Sequence, residues 1–430
     1  MDDSQGLSVF GADAESVEAV NSFRQGLLAM EGGLDGVTES AERAPGCALL
    51  QMYAAVFFLY AGTRDGNAQA VSWLARAESS LAGVSARERQ FFEALTRWID
   101  EDLEGAMQIL EQVTSDSPRD LVAVKTCEFL YYLTGQHQAG PRYRAQMERV
   151  IPHNQDQAEA FGLYAFSLDL DGDYEEVRRQ AERALDLRYE SAWTHHALAH
   201  AAIMTDDRER GRREQEDFLA TWSHPPYSIH GHNAWHLALF RLLDGDEEGA
   251  WQLFRDLIWG QTPDSCAEQV DAVSLLWRME MAGFVVDEPI WNEVGDACAS
   301  FSGEALNPFV TAHHAHALAR VGRDEDVARL RQAVEESAKR QPASRRAVWE
   351  QAGMPVVEAA IAWARRDAPA VVENLEPIVQ EIPRVGGSDA QGDLFRLTLL
   401  RALEKMGRTE SMRALLPVFP GTRERTGRFV

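Results

Sequence analysis

The run 172–187, Gly-Asp-Tyr-Glu-Glu-Val-Arg-Arg-Gln-Ala-Glu-Arg-Ala-Leu-Asp-Leu, constrains the fold more than any other stretch of this chain. Gly172 and Tyr174 mark a turn between helices, and Ala181 and Ala184 are small where a second helix must pack. The partner helix is 156–169, with Phe161, Tyr164 and Ala165 on its packing face. Two helices joined by so short a turn lie antiparallel, and such a pair cannot bury its apolar face alone. The chain therefore has to supply further pairs that stack on this one.

It does so in both directions, with no convincing alternating strand pattern. Helix pairs are expected near 14–30 with 36–45, 47–61 with 67–82, 86–99 with 102–114 and 119–135 with 140–150. After the pair already described come 190–205 with 207–221, 232–243 with 246–258, 266–282 with 288–300, 306–321 with 324–338, 344–365 with 368–380 and 389–406 with 408–416. Gly135, Gly172, Gly245, Gly283, Gly322 and Gly407 supply helix stops. The run 172–187 is the second half of a tetratricopeptide repeat, a unit of ~34 residues. The expected fold is all-α, a superhelix (α-solenoid) of antiparallel tetratricopeptide-like helix pairs with a concave inner surface. Residues 1–430 read as one helical-repeat domain: N-terminal pairs over 1–150, histidine-rich central repeats over 151–330, and capping pairs over 331–430. The polar tail 421–430 is expected to fray.

Charge and cysteine usage exclude several classes. A formal charge of −26 opposes contact with nucleic acid phosphates or an anionic membrane face. Cys47, Cys127, Cys266 and Cys298 are widely spaced with no CxxC, which argues against a disulfide framework or a thiolate zinc site. No apolar run approaches the ~18 residues of a membrane span, and the acidic N-terminus is no signal peptide, so the expected location is cytoplasmic. G-x-S-x-G, P-loop, G-x-G-x-x-G and HExxH signatures are absent. Asp169, Asp171 and Asp173 resemble a calcium loop, but Tyr174 stands where that loop needs glycine, so they read as turn and cap residues.

Ten of the twelve histidines fall between His195 and His316. His196/His200 and His232/His236 are spaced four apart, which puts each pair on one helix face. These helices, with those carrying Asp271 and His313, are the first helices of consecutive pairs, so their polar residues are expected to converge. Isolated buried histidines usually order a core through one hydrogen bond; four at two matched spacings point instead to chemistry. One version is a metal site in which His196, His200, His232 and His236 hold a single transition ion, zinc, iron or copper. The other is metal-free, with histidines as general acid and base and Asp271 orienting one of them.

Asp271, Ser274 and Arg278 share a helix face, either as an Asp–Arg pair holding helices in register or with Arg278 binding a substrate carboxylate or phosphate. Trp193, Trp235 and Trp277 recur on the same helices; as core they are ordinary, and facing a ligand they imply an organic molecule with an apolar body. The Pro-rich stretch 222–231 is a loop that brings His224, Tyr227 and His230 beside His232. The candidate catalytic set is His196, His200, His232, His236, Asp271 and His313, and the candidate substrate contacts are Trp193, Tyr227, Trp235 and Arg278.

Trp193-Thr-His-His196-Ala-Leu-Ala-His200 and His232-Asn233-Ala-Trp235-His236-Leu-Ala-Leu-Phe240 resemble the W-x-x-H-A-x-A-H and H-N-x-W-H-x-A-L-F motifs of the tetratricopeptide repeat protein 38 family. Asp271-Ala-Val-Ser274-Leu-Leu-Trp277-Arg278 and the Phe309…His313 spacing are similar to its later motifs, and Arg87-Glu88 and Pro118-Arg-Asp120 to its earlier half. The resemblance covers roughly 15–330 and implies an all-helical superhelix; it supplies no reaction or substrate. Thr311 stands where the family pattern leads one to expect an acidic residue, which puts in doubt any scheme needing a carboxylate there, and His195, His314 and His316 lie outside the pattern.

Two functions follow as expectations. The first is an enzyme or enzyme-like binder of a small molecule, working by histidine acid–base or metal-assisted chemistry. The second is a non-catalytic scaffold that receives a peptide or partner protein in its groove. The histidines and tryptophans tip the balance towards chemistry, because peptide-clamping grooves of this kind display Lys, Arg and Asn.

Overall fold

A computed structural model describes residues 1–30, 34–222, 228–305 and 307–415. Among these residues every regular element is helical, and the only β-pairing is an isolated bridge between Asp2 and Ser8. The chain falls into two compact units, Met1–Tyr132 with Ala139–Ala197 and Leu133–Gln138 with Leu198–Val430.

In the first unit the helices are α1 (Ala14–Ala29), α2 (Gly36–Arg43), α3 (Ala48–Tyr60), α4 (Arg64–Glu78), α5 (Ala86–Ile99), α6 (Leu103–Asp116), α7 (Leu121–Thr134), α8 (Gln136–Val150), α9 (Ala158–Leu170) and α10 (Tyr174–Leu187), the junction of α7 and α8 being counted with the second unit. Helix α11 (Ala192–Thr205) runs unbroken through the division at Ala197–Leu198. The second unit continues with α12 (Arg208–Phe218), α13 (Ile229–Asp244), α14 (Glu247–Leu253), α15 (Cys266–Ala282), α16 (Glu288–Cys298), α17 (Pro308–Arg320), α18 (Asp324–Arg340), α19 (Ala343–Val348), α20 (Met354–Ala364), α21 (Ala368–Leu375), α22 (Asp389–Lys405) and α23 (Thr409–Leu415).

One turn recurs where the chain reverses within a pair. After α5, α9, α11, α13, α15, α17, α20 and α22 a single residue adopts positive φ: Glu101, Gly172, Asp206, Gly245, Gly283, Gly322, Arg366 and Gly407. The N–H of the next residue then bonds to the carbonyl five positions back, at 2.8–3.0 Å, as in Asp173 to Leu168 and Asp246 to Arg241. This left-handed stop satisfies carbonyls that the helix end would otherwise orphan. An aspartate commonly follows and caps the second helix: Asp102, Asp173, Asp246 and Asp367 accept from the backbone of Gly105, Glu176, Gly249 and Ala370.

In the first unit α3 packs on α4, α5 on α6 and α9 on α10. Its two early sequence motifs meet: Arg87 Nη1 donates to Asp120 Oδ2 at 2.7 Å, both buried, and Glu88 closes a capping box with Ser85. In the second unit the first helices pack in succession, α13 on α15, α15 on α17, α17 on α20 and α20 on α22. These helices are buried nearly all round, and α17 is buried at every position from Pro308 to Ala319. A helix in that position presents no solvent face, so its polar residues must find partners inside the protein.

Several helix boundaries differ from expectation: α4 spans Arg64–Glu78 and α8 begins at Gln136, earlier than expected, and three further differences fall in the histidine-bearing half. Helix α13 starts at Ile229, because Ser228 accepts from His230 N and caps it; His230 therefore sits in the first helical turn and not in the loop. The helix expected over 246–258 widens into a π-turn at Phe254–Ile258, and that expected over 344–365 does so at Trp349–Gly353. The second π-turn precedes Pro355, whose ring clashes with the carbonyl four residues back in a regular helix. Among the described residues no helix is long and apolar enough to cross a membrane. The expected fray at 421–430 lies outside the described residues.

Candidate metal centre

Helix α11 carries His196 and His200 one turn apart, and α13 does the same for His232 and His236. Small residues make the approach of the two helices possible: Ala199 and Ala202 form a buried cluster with Phe240 of α13. A Cβ added at Gly211 of α12 would stand 2.6 Å from both the Ala202 Cβ and the Phe240 ring, so α12 also seats there only because residue 211 is glycine. The histidine rings that result meet edge to face. His200 and His236 lie 4.9 Å apart between centroids and His232 and His236 4.8 Å, both edge-on.

One ring nitrogen from each of His196, His200, His232 and His236 lies within 4.8 Å of those of the other three. His196, His200 and His236 are buried, and the side chain of His232 is 15% exposed, which makes it the solvent-side member of the set. Behind His232, Asp271 Oδ2 of α15 lies 2.7 Å from Nδ1. An ionised carboxylate only accepts, so the Nδ1 proton is held there and the imidazole lone pair is placed on Nε2. Burial pushes His236 well below the usual histidine range, with His232, His200 and Arg278 adding to the effect. A neutral imidazole is the form that binds metals.

The neighbouring side chains are aromatic or cationic. Trp235 stacks on His232 at 5.3 Å and 11° and meets His236 edge-on at 4.9 Å. The Arg278 guanidinium lies 5.8 Å from the Trp235 ring centroid, and its Nη2 donates to the Ala390 carbonyl of α22 at 3.0 Å. Asp271 engages His232 and Arg278 engages α22, so their shared face serves two partners. Burial lowers Arg278 to about 10, against the pull of Asp393. His313 of α17 donates from Nδ1 to the Phe309 carbonyl at 2.8 Å, and burial lowers it to about 4. It lies within electrostatic reach of Asp271 and Arg278.

The remaining sequence candidates are placed differently. Trp193 belongs to the first unit, where the Lys125 ammonium sits 3.2 Å from its ring centroid and Phe166 and His196 pack against it at 5.1 and 4.8 Å. Trp277 stacks on His316 at 3.7 Å and 8°. His195 bonds the Tyr189 carbonyl through Nε2 at 2.8 Å, and His314 stacks on Phe301. Tyr227 and His224 lie outside the described residues. Sequence reasoning missed the buried Lys125–Glu128 pair under Trp193, 2.7 Å from Nζ to Oε2. Two charges in the otherwise apolar run Leu-Val-Ala-Val-Lys-Thr-Cys-Glu-Phe-Leu were the available signal.

The helix pairs and their shared turn define a tetratricopeptide-like helical-repeat protein. No family model matches the sequence. Among solved structures, the chain is similar to a monomeric mutant of IFIT1 with Gppp-AAAA, at 13% identity over 96% of each chain and a TM-score of 0.39. It is also similar to Naa15/Naa10 bound to HypK-THB, at 11% identity over 94% of this chain and 63% of that one, with a TM-score of 0.27. At such scores the architecture stands on the helices and turns themselves.

Proposed function

We propose that this protein binds one transition metal ion through His196, His200, His232 and His236 and acts there on a small organic molecule. The observation that carries the reading is the convergence of four imidazole nitrogens within 4.8 Å, with Asp271 fixing the tautomer of one. Four imidazoles around a tetrahedral ion at ~2.0–2.1 Å stand about 3.3 Å apart, so modest ring rotations close the set. Zinc would be saturated by four such ligands, whereas iron or copper accepts more and keeps positions for water or substrate. A bound ion of that kind supplies Lewis acidity or redox chemistry. Around it, Trp235 offers an apolar wall, Arg278 a cation, and His313 a neutral imidazole able to take a proton; Trp193 and Tyr227 are further substrate contacts proposed from the sequence. The metal-free alternative keeps the same residues, with histidine acid–base chemistry oriented by Asp271.

We also assign the chain to the tetratricopeptide repeat protein 38 family, on the two histidine motifs, and expect a cytoplasmic protein that does not bind nucleic acid, given the charge of −26. The helix-pair architecture supports a second reading, a scaffold that receives a peptide or partner protein. Metal content of untagged protein, measured beside a His200→Ala/His236→Ala double variant, separates them. Near one equivalent of iron, copper or zinc, lost in the variant, supports the metal site. Failure to retain any of the three after their addition overturns it and leaves the acid–base and scaffold readings.

A further inference from the structure

Next to the four imidazoles the second unit buries another set of polar atoms. Ser274 Oγ, Arg278 Nε and Trp235 Nε1 are buried without a hydrogen-bond partner, as is His313 Nε2. Ser274 lies one turn before Arg278 on the same face of α15, and the Trp235 ring neighbours both the Arg278 guanidinium, 5.8 Å from its centroid, and His236, 4.9 Å between centroids. The first three atoms carry hydrogens, so the set holds an excess of donors. Arg278 makes one hydrogen bond, to a neutral backbone carbonyl, while Asp393, close enough to act on it electrostatically, hydrogen-bonds Arg396 at 3.4 Å. A buried guanidinium with no carboxylate bonded to it is costly, and an acceptor-only anion relieves that cost and the unpaired donors together.

We infer that Arg278, Ser274 and Trp235 form a carboxylate-binding subsite beside the histidine cluster, so that the substrate is a small organic acid. The inference rests on the metal-site reading only for what becomes of the other end of that molecule. A monoanion suits the site better than a phosphate dianion, which would bring a second negative charge into a region that already holds Asp271 and Asp393. In such a pose His313 Nε2, an acceptor in the tautomer fixed by the Phe309 carbonyl, faces a hydroxyl or amine of the bound acid. Trp235 adjoins both the Arg278 guanidinium and His236, which places the two ends of the bound acid within a few bonds of each other.

The test is calorimetric titration of acetate, glycolate and inorganic phosphate into metal-loaded and metal-stripped protein. Acetate and glycolate should bind, with phosphate at least tenfold weaker. Arg278→Lys should weaken glycolate at least tenfold, and Ser274→Ala and Trp235→Phe about threefold each, with metal content unchanged. The two milder variants keep the test open if the change at Arg278 disturbs folding. Carboxylates that fail to bind both forms overturn the inference, as does phosphate binding more tightly, or glycolate binding that all three variants leave intact. Carboxylate binding by a protein that holds no metal sinks the metal reading alone and leaves this one standing.

Discussion

Helices α11 and α13 bring histidine rings edge-on to other histidine rings, whereas α17 sets its three histidines among carbonyls and aromatic rings. His313 donates to the Phe309 carbonyl, His316 lies flat on Trp277 and 3.2 Å from the Ala360 carbonyl, and His314 stacks on Phe301. Burial lowers these three to about 4, 3 and 3. There His314 and His316 serve as flat aromatic fillers that give up their capacity to hold a proton, while His313, tilted against Phe309, keeps Nε2 free of the helix for the proposed site. In α11 and α13 the same residue type gathers nitrogens, and Asp271 settles which nitrogen of His232 carries the proton. Clustering in sequence is common to both regions, and the partner of each ring distinguishes them.

The largest expected difference between the regions is the response to metal. An ion present at a thousandfold excess over its dissociation constant stabilises the folded state by about 4 kcal/mol. That gain should disappear in His200→Ala/His236→Ala and persist in His314→Leu, with thermal unfolding in the presence and absence of the ion as the readout. A gain of equal size in both variants would erase the distinction. Next in size is His316→Ala, which removes a ring stacked on Trp277 and leaves a cavity costing about 3 kcal/mol. Urea unfolding should move to lower midpoint while metal content is kept.

The helix pairs were legible because one turn recurs, and only some of its instances are visible. Gly172, Gly245, Gly283, Gly322 and Gly407 announce the left-handed residue that ends a helix, whereas Glu101, Asp206 and Arg366 take the same conformation without announcing it. A non-glycine residue there costs about 1 kcal/mol, which tertiary packing overrides. At the site, the i, i+4 spacing of His196/His200 and His232/His236 was local information and so could be read. The bond from Asp271 to His232 spans 39 residues and that from Arg278 to Ala390 spans 112, and such pairings are decided by how helices stack. For the same reason nothing local separated His316, pinned on Trp277, from His236.

The contrast sharpens at Asp271. Asp271→Asn keeps the shape of the side chain and its acceptor oxygen but removes the charge that makes His232 a better ligand. Loss of such a partner weakens metal affinity about 10–100-fold. Metal titration against a chelator of known affinity measures it, and an unchanged affinity would mean that His232 takes no part in binding. Asp271 is within reach of His313 as well, so the same variant should leave the α17 hydrogen bond to Phe309 undisturbed if the two regions are separate in function.

The effect that isolates α17 is a dependence of stability on pH. In the unfolded chain its histidines take up protons near pH 6.5, the ordinary value, while in the folded protein His314 and His316 wait until about 3 and His313 until about 4. Between those limits the unfolded state binds more protons, so stability is complete above about pH 6.5 and falls as the pH falls, by up to about 1.4 kcal/mol per pH unit for each histidine. Other groups titrate over the same range, and comparison of wild type with His314→Leu cancels them. In metal-stripped protein the variant should lose stability less steeply between pH 6.5 and 4, the difference approaching one histidine's share. Equal slopes would mean that the ring accepts a proton in place, which its stacking on Phe301 inside a fully buried helix turn opposes. A slope relieved in His314→Leu, beside a metal response that the same variant leaves whole, would show that one kind of residue serves two ends a few helices apart because its neighbours differ.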